Sequence, residues 1–368
     1  FKQKTAYEIG VRLVGSEMCI RDRFDASISN AFSGIQLFIN QGDFILKTIK
    51  GFTKILISAG MLVVVSALIA CSTSDSGPST SDDADISAKG YKNPERIVSV
   101  AWLNKHINDD NLVIVDVRGL TDGAPVKYNE GHIPGAINIP ANTTFQQTVN
   151  GIKGMLPTAA HIEGVLSDHG VKPTDTIVFY DDIKSLWASR ALWGMDVYGH
   201  KDSKLLDGDI KLWIAKGYAT SQETATLTKS TYKFTGTPKT ELIVDLDTVA
   251  KSIEGKAEVL DTRSSDEYVG KNLRGNARGG HIPGSVLVEW KQNAAEDGSF
   301  LPASDLKDLY ASVNIVSGDE VYTLCQTAVR ATHSWFVLSE LLGYSGIAVY
   351  DGSAIEYANR EDTALEIR

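Results

Sequence analysis

The residues of this chain best suited to covalent chemistry are Cys325-Gln326-Thr327-Ala328-Val329-Arg330, which follow the run Glu320-Val321-Tyr322-Thr323-Leu324. That run predicts a short strand, and Ala331 to Leu342 predicts a helix. A strand turning sharply into a helix directs backbone N–H groups into the turn, and the helix N-terminus adds partial positive charge. A thiol set there is a thiolate more often than a free cysteine is, and the thiolate is the nucleophile. The same turn can hold an anion. Arg330 would add a permanent cation whose planar fork suits oxyanions. Two plainer readings stand beside these. Cys325 is a buried core cysteine, a common fate for that residue, or Arg330 bonds carbonyls or a domain-interface carboxylate.

The elements that would position this loop occur twice. Leu112 to Arg118 reads as a buried strand ending in Asp116-Val117-Arg118, and Glu258 to Arg263 ends in Asp261-Thr262-Arg263. Gly131-His132-Ile133-Pro134-Gly135 returns as Gly280-His281-Ile282-Pro283-Gly284. Asp175 to Tyr180 returns as Asp319 to Leu324, and Leu206-Asp207-Gly208 as Tyr350-Asp351-Gly352, both 144 positions later. Helical patterns over 159–170 and 189–199 have counterparts over 304–313 and 331–343. Near-continuous apolar strands between helices predict an α/β fold, two tandem domains each with a parallel sheet flanked by helices. The same offset sets Asp181 against Cys325, so one half carries a nucleophile and the other a carboxylate. Residues duplicated in both halves, the Asp-x-Arg pairs, His132, His281 and the Asp-Gly turns, read as architecture. The half with Asp181 reads as a non-catalytic partner that shapes a cleft.

The 368 residues are 43% hydrophobic and 22% charged, as in globular proteins. A net charge of −10 and a pI near 5.2, with no basic run, exclude a nucleic-acid footprint. Cys19, Cys71 and Cys325 fit neither a metal-ligand spacing nor a disulfide framework. The segment 47–71 has a basic start, an apolar run from Ile55 to Ala70, and then Cys71. This is the pattern of a secretory signal. The rival reading, a transmembrane anchor, is short for about 30 Å of hydrocarbon.

The assembled motifs resemble known families. Residues 1–23 resemble the conceptual translation of a sequencing adapter; a disordered leader is the alternative, and a non-ATG start near Leu46 is expected. Leu68-Ile69-Ala70-Cys71 resembles a bacterial lipobox, which makes Cys71 the lipidation site. The tandem Asp-x-Arg, Gly-His-Ile-Pro-Gly and Cys-x4-Arg motifs resemble a two-domain rhodanese, a thiosulfate sulfurtransferase, over about 94–360. That resemblance implies Cys325 as the persulfide-forming nucleophile. It makes Gln326, Thr327, Ala328, Val329 and Arg330 the loop that cradles the persulfide. The donor would be thiosulfate and the acceptor cyanide or a thiol, with no cofactor and no metal. Related phosphatases need a longer Cys-x5-Arg loop. The Cys-Gln-Thr-x-x-Arg form resembles bacterial thiosulfate enzymes, whereas the mercaptopyruvate branch has Cys-Gly-Ser-Gly-Val-Thr and substrate arginines after the Asp-x-Arg strand. Glu267 stands where one of those arginines is expected, and Arg274 and Arg278 are the candidate substitutes. Ala328 replaces a glycine of many relatives; if the position needs positive φ, the alanine costs about 1 kcal/mol.

The expected divisions are 1–46, adapter-derived or read-through sequence; 47–71, lipoprotein signal; 72–93, flexible tether; 94–220, non-catalytic domain; 221–240, linker; and 241–368, catalytic domain. The mature protein would be lipid-anchored to the cell envelope on the periplasmic side. Ser72 favours the outer membrane in a Gram-negative cell. A 3-mercaptopyruvate sulfurtransferase, or a persulfide carrier serving a protein partner, remain the alternatives.

Overall fold

A computed structural model describes residues 83–367 apart from 122, 201, 254 and 256. The expected signal segment, the adapter-like leader, Cys19 and Cys71 lie outside the described residues.

The first half contains β1 (Ile97–Ser99), β2 (Leu112–Asp116), β3 (Ile137–Asn138), a hairpin of β4 (Gln147–Val149) and β5 (Ile152–Met155), β6 (Thr176–Tyr180) and β7 (Ser203–Asp207). The second contains β8 (Ile243–Val244), β9 (Glu258–Asp261), β10 (Val286–Leu287), β11 (Val321–Leu324) and β12 (Ile347–Tyr350). The two five-stranded sheets run β1-β7-β6-β2-β3 and β8-β12-β11-β9-β10, and every pairing in them is parallel. They are the same sheet built twice. The central strands β6 and β11 are buried along their whole length, which explains their uninterrupted apolar sequence.

The helix Leu186–Val197 follows β6, and Val329–Trp335 follows β11. These helices pack on each other and carry a core shared by both halves, with Trp193, Leu192 and Met195 from one side and Trp335, Phe336 and Leu338 from the other. The described residues accordingly belong to a single compact unit. The outer faces of the sheets bury separate clusters, one around Val98, Val178 and Leu206 and one around Val259, Tyr322 and Tyr350.

The repeat differs in one detail. Ser185 and Ala328 both start their helices in the left-handed region, at φ 60, and stand 143 positions apart, one fewer than the strands before them. The second loop is therefore one residue shorter. Its helix absorbs the extra residue by continuing as a π-helix over Phe336–Leu341. Such insertions cluster at functional sites.

The expectation of a flexible tether over 72–93 is corrected for residues 83–93. Asp83 caps Ala84–Ser87 and also accepts from the Ser99 amide at 2.7 Å. Ile86 and Tyr91 are buried, Lys89 pairs with Asp207 at 2.6 Å, and Ala303 N–H donates to Lys89 O at 2.8 Å. Two apolar anchors and a partly buried ion pair outweigh the Ser- and Asp-rich composition that suggested a loose chain. The segment 221–239 has no regular structure but is strapped to the first half. His132 and Ser221 exchange backbone bonds, and buried Tyr232 bonds His200 at 2.8 Å.

Candidate active site

The strand β11 delivers Cys325 to the turn, and Ala328 then takes φ 60, ψ −4 before the helix starts. The alanine therefore occupies the strained left-handed conformation considered from the sequence, at a cost of about 1 kcal/mol. Ser353, itself at φ 50, locks the turn: its hydroxyl accepts from the amides of Cys325 (3.3 Å) and Ala328 (3.1 Å) and donates to Tyr350 O (2.8 Å). Ala354 N–H and Ile355 N–H donate to the carbonyls of Cys325 and Gln326, each at 3.0 Å. Gln326 and Asn276, both buried, exchange side-chain bonds of 2.8 and 3.1 Å. The loop is thus held by carbonyls and side chains. No side chain of Ala328 caps the following helix.

The equivalent turn of the first half, one residue longer, gathers its amides on a carboxylate. The Asp181 carboxylate accepts from Ile183 N–H (2.8 Å), Ser185 N–H (3.0 Å), Trp187 N–H (2.7 Å) and Ala188 N–H (3.1 Å). An anion supplied by the chain itself fills that cradle. Burial pushes its carboxyl up to about 6 against those amides, which pull the other way. Cys325 stands where Asp181 stands, with no carboxylate of its own to occupy the turn.

Arg330 lies at the start of the helix, and both ends of its guanidinium bond Glu267, Nη1 to Oε2 at 2.7 Å and Nη2 to Oε1 at 2.8 Å. Glu267 is buried and completes a capping box with Ser264. Burial alone would raise its carboxyl, but the Arg330 bonds and charge, with the Ser264 bonds, hold it down at about 2. Burial opposes the charge on Arg330, while Glu267 and the Cys325 sulfur keep its pKa above the ordinary value.

Arg274 and Arg278 differ. Arg274 is more than half exposed, with Nε 3.8 Å from Glu267 Oε1. Arg278 is corrected as a substrate candidate. Its guanidinium donates to Thr363 O (2.8 Å), Thr363 Oγ1 (2.5 Å) and Tyr357 O (3.3 Å), fixing the C-terminal segment. The duplicated residues are structural in both halves. Arg118 bonds Asp116 and Gly131 O, and Arg263 bonds Asp261 and Gly280 O, so each pair ties a strand end to its Gly-His-Ile-Pro-Gly turn. His132 and His281 stack on Tyr128 and Tyr268 at 3.7 Å.

Sequence reasoning missed what covers the loop. The β4–β5 hairpin of the first half reaches it: Gln146 Nε2 donates to Thr327 O at 3.0 Å. Gly154, at φ 82, lies so close that an added Cβ would meet Thr327 Cβ at 2.7 Å. Asp351 binds Arg190 Nη1 (2.7 Å) and the Leu156 amide (2.7 Å) from the first half, and Asp207 returns the arrangement by accepting from Phe300 N–H (2.8 Å). The expectation of a cleft opening onto the thiol needs correction, because Cys325 is 1% exposed within the shared core. Thr327 and Arg330 are the partly exposed members of the loop. A cavity of about 430 Å³ between hairpin residues Asn150–Lys153 and Ile355, Glu356, Asn359 and Arg360 is lined by none of the loop residues.

The pattern of the rhodanese-like domain matches residues 99–216 and again 245–360. A putative thiosulfate sulfurtransferase of Saccharopolyspora erythraea is 32% identical over 279 residues, covering 74% of this chain and 96% of the relative. The putative thiosulfate sulfurtransferase SseA of Mycobacterium tuberculosis is 32% identical over 289 residues, covering 75% and 92%. The sulfur carrier protein TtuD of Thermus thermophilus is 31% identical over 280 residues, covering 73% and 96%. Among solved structures, the anaerobic ergothioneine biosynthesis enzyme of Chlorobium limicola superposes with a TM-score of 0.67 at 21% identity, covering 75% of this chain and 71% of that one. That last likeness is one of fold.

Proposed function

This chain belongs to the rhodanese family, and from that premise we propose that it is a thiosulfate sulfurtransferase working through a persulfide on Cys325. The sulfurtransferase class follows from the family; the donor, acceptor and site residues are our reading. The Cys325 thiolate attacks the outer sulfur of thiosulfate. An S–S bond forms to the enzyme, the S–S bond within thiosulfate breaks, and sulfite leaves with the electron pair. Cyanide or a thiolate then attacks the terminal sulfur, and the Cys325 thiolate departs. No net proton or electron is exchanged with solvent.

The amides of the turn from Gln326 to Arg330, apart from that of Ala328, which Ser353 takes up, are preorganised toward the charge on the terminal sulfur, which costs no reorganisation during the reaction. The observation that carries this reading is the filled cradle of the first half. Where Asp181 supplies a carboxylate the turn is self-occupied, and where Cys325 stands the same turn has a nucleophile instead. A second reading, a persulfide carrier for a protein partner, is favoured by the closed thiol and by the sulfur-carrier relative. We further propose export, with lipidation at Cys71 and the body on the periplasmic side of the envelope, on the strength of the signal pattern alone.

Incubation with thiosulfate and cyanide tests the enzyme reading. Continuous thiocyanate release, lost in Cys325→Ser, supports it. A stable persulfide that small acceptors leave untouched supports the carrier.

A further inference from the structure

The charges of two guanidinium groups, Arg263 and Arg330, interact with the Cys325 sulfur, and each is already matched. Arg263, from the end of β9, is paired with Asp261 at 2.6 Å, and Arg330, from the helix after the loop, is paired with Glu267 through both ends of its fork. Glu267 comes from the short helix Ser265–Tyr268 and is held from its other side by Ser264, whose hydroxyl donates to Oε2 at 2.8 Å. Arg274 reaches Glu267 only at 3.8 Å and is largely in solvent. Arg190 and Arg278 are committed to Asp351 and to the C-terminal segment. A donor bearing a carboxylate therefore finds the Arg330 fork occupied, although bidentate recognition of that group needs a free one, while the Arg274 guanidinium is left largely to solvent.

We propose that Glu267 is a positioning residue that sets donor specificity: by occupying the Arg330 fork it limits how much negative charge the Cys325 loop accepts. This rests on the sulfurtransferase reading for its biological meaning, but the charge itself is measurable without turnover. With Glu267 in place, the thiosulfate dianion binds more weakly than it would beside an unpaired Arg330. Neutralising Glu267 releases one cation at the Cys325 loop, an effect of about tenfold on the charged form of a neighbouring anion. Glutamine is the apt replacement because it keeps the capping box with Ser264.

The test compares the wild-type full chain with Glu267→Gln by alkylating each with iodoacetate, an anion, and with iodoacetamide, which is neutral. The modified Cys325 peptide is counted by mass spectrometry. The ratio of the two rates rises about tenfold in the variant and collapses toward wild type at high salt. The KM for thiosulfate falls while kcat holds, and Glu267→Asp keeps the wild-type ratio. If Glu267→Gln does not fold, Arg330→Gln reads the same charge from the other side, with the ratio falling about tenfold. An unchanged ratio in a folded variant, with only thermal stability lowered, overturns the proposal. A raised ratio in protein that never makes thiocyanate leaves the charge role standing and removes the thiosulfate reading. Thiocyanate from both forms with an unchanged ratio does the reverse.

Discussion

Asp181 and Cys325 occupy the same turn in two copies of one fold, and the carboxylate of the first takes backbone amides at 2.7–3.1 Å. The duplicated scaffold thus sets a turn of the same place in both halves, filled by a carboxylate in the first and carrying a thiol, in a loop one residue shorter, in the second.

Asp181→Ala would strip those amides of their acceptor inside a buried turn. The expected loss is about 2–3 kcal/mol, since unmade buried bonds cost the desolvation of each group. Urea denaturation measures it. Sulfate in the buffer should return part of the loss by entering the emptied cradle, and should do nothing for the wild type at the same site.

Ala328→Gly removes the left-handed strain at φ 60. The gain is set against the greater freedom of glycine in the unfolded chain, so the net expectation is a stabilisation of about 0–0.6 kcal/mol. A higher urea midpoint at constant slope is the readout.

Arg190 and Asp351 join the two halves as a buried pair at 2.7 Å, with Arg190 fully enclosed. Arg190→Met leaves a buried carboxylate uncompensated and should cost about 3–5 kcal/mol. Adding Asp351→Asn should recover a good part of it, a coupling that a double-mutant cycle reads directly.

Glu267 predicts an acid transition. Its carboxyl is held at about 2, below its ordinary value of 4.5, so its stabilisation is complete above pH 4.5 and disappears as pH falls toward 2. The amount is of order 2 kcal/mol. In Glu267→Gln the stability curve should be flatter across that window, as measured by thermal melts at stepped pH.

The sequence disclosed the repeat because parallel strands buried on both faces must be apolar throughout, and because strand ends, tight turns and an Asp-x-Arg clamp demand particular residues at fixed spacing. Thr176–Tyr180 and Val321–Leu324 fall where their sequence predicts them. What stayed hidden depends on contacts across large separations. Nothing local to Glu267 announces Arg330 63 positions away, nor does Gly154 announce its approach to Thr327. The segment 83–93 misled for the same reason: its Ser, Asp and Gly composition describes a loose chain, while Ile86 and Tyr91 find their cover in distant elements. The π-helix over Phe336–Leu341 was invisible because a one-residue shift between repeats shows only once both helix starts are placed.

The most direct test of the central claim is the mass of the Cys325 peptide after the full chain has been incubated with thiosulfate, before and after cyanide. The account predicts one added sulfur that cyanide removes as thiocyanate. An unmodified Cys325 peptide, with thiocyanate still formed at the wild-type rate by Cys325→Ser, would contradict it.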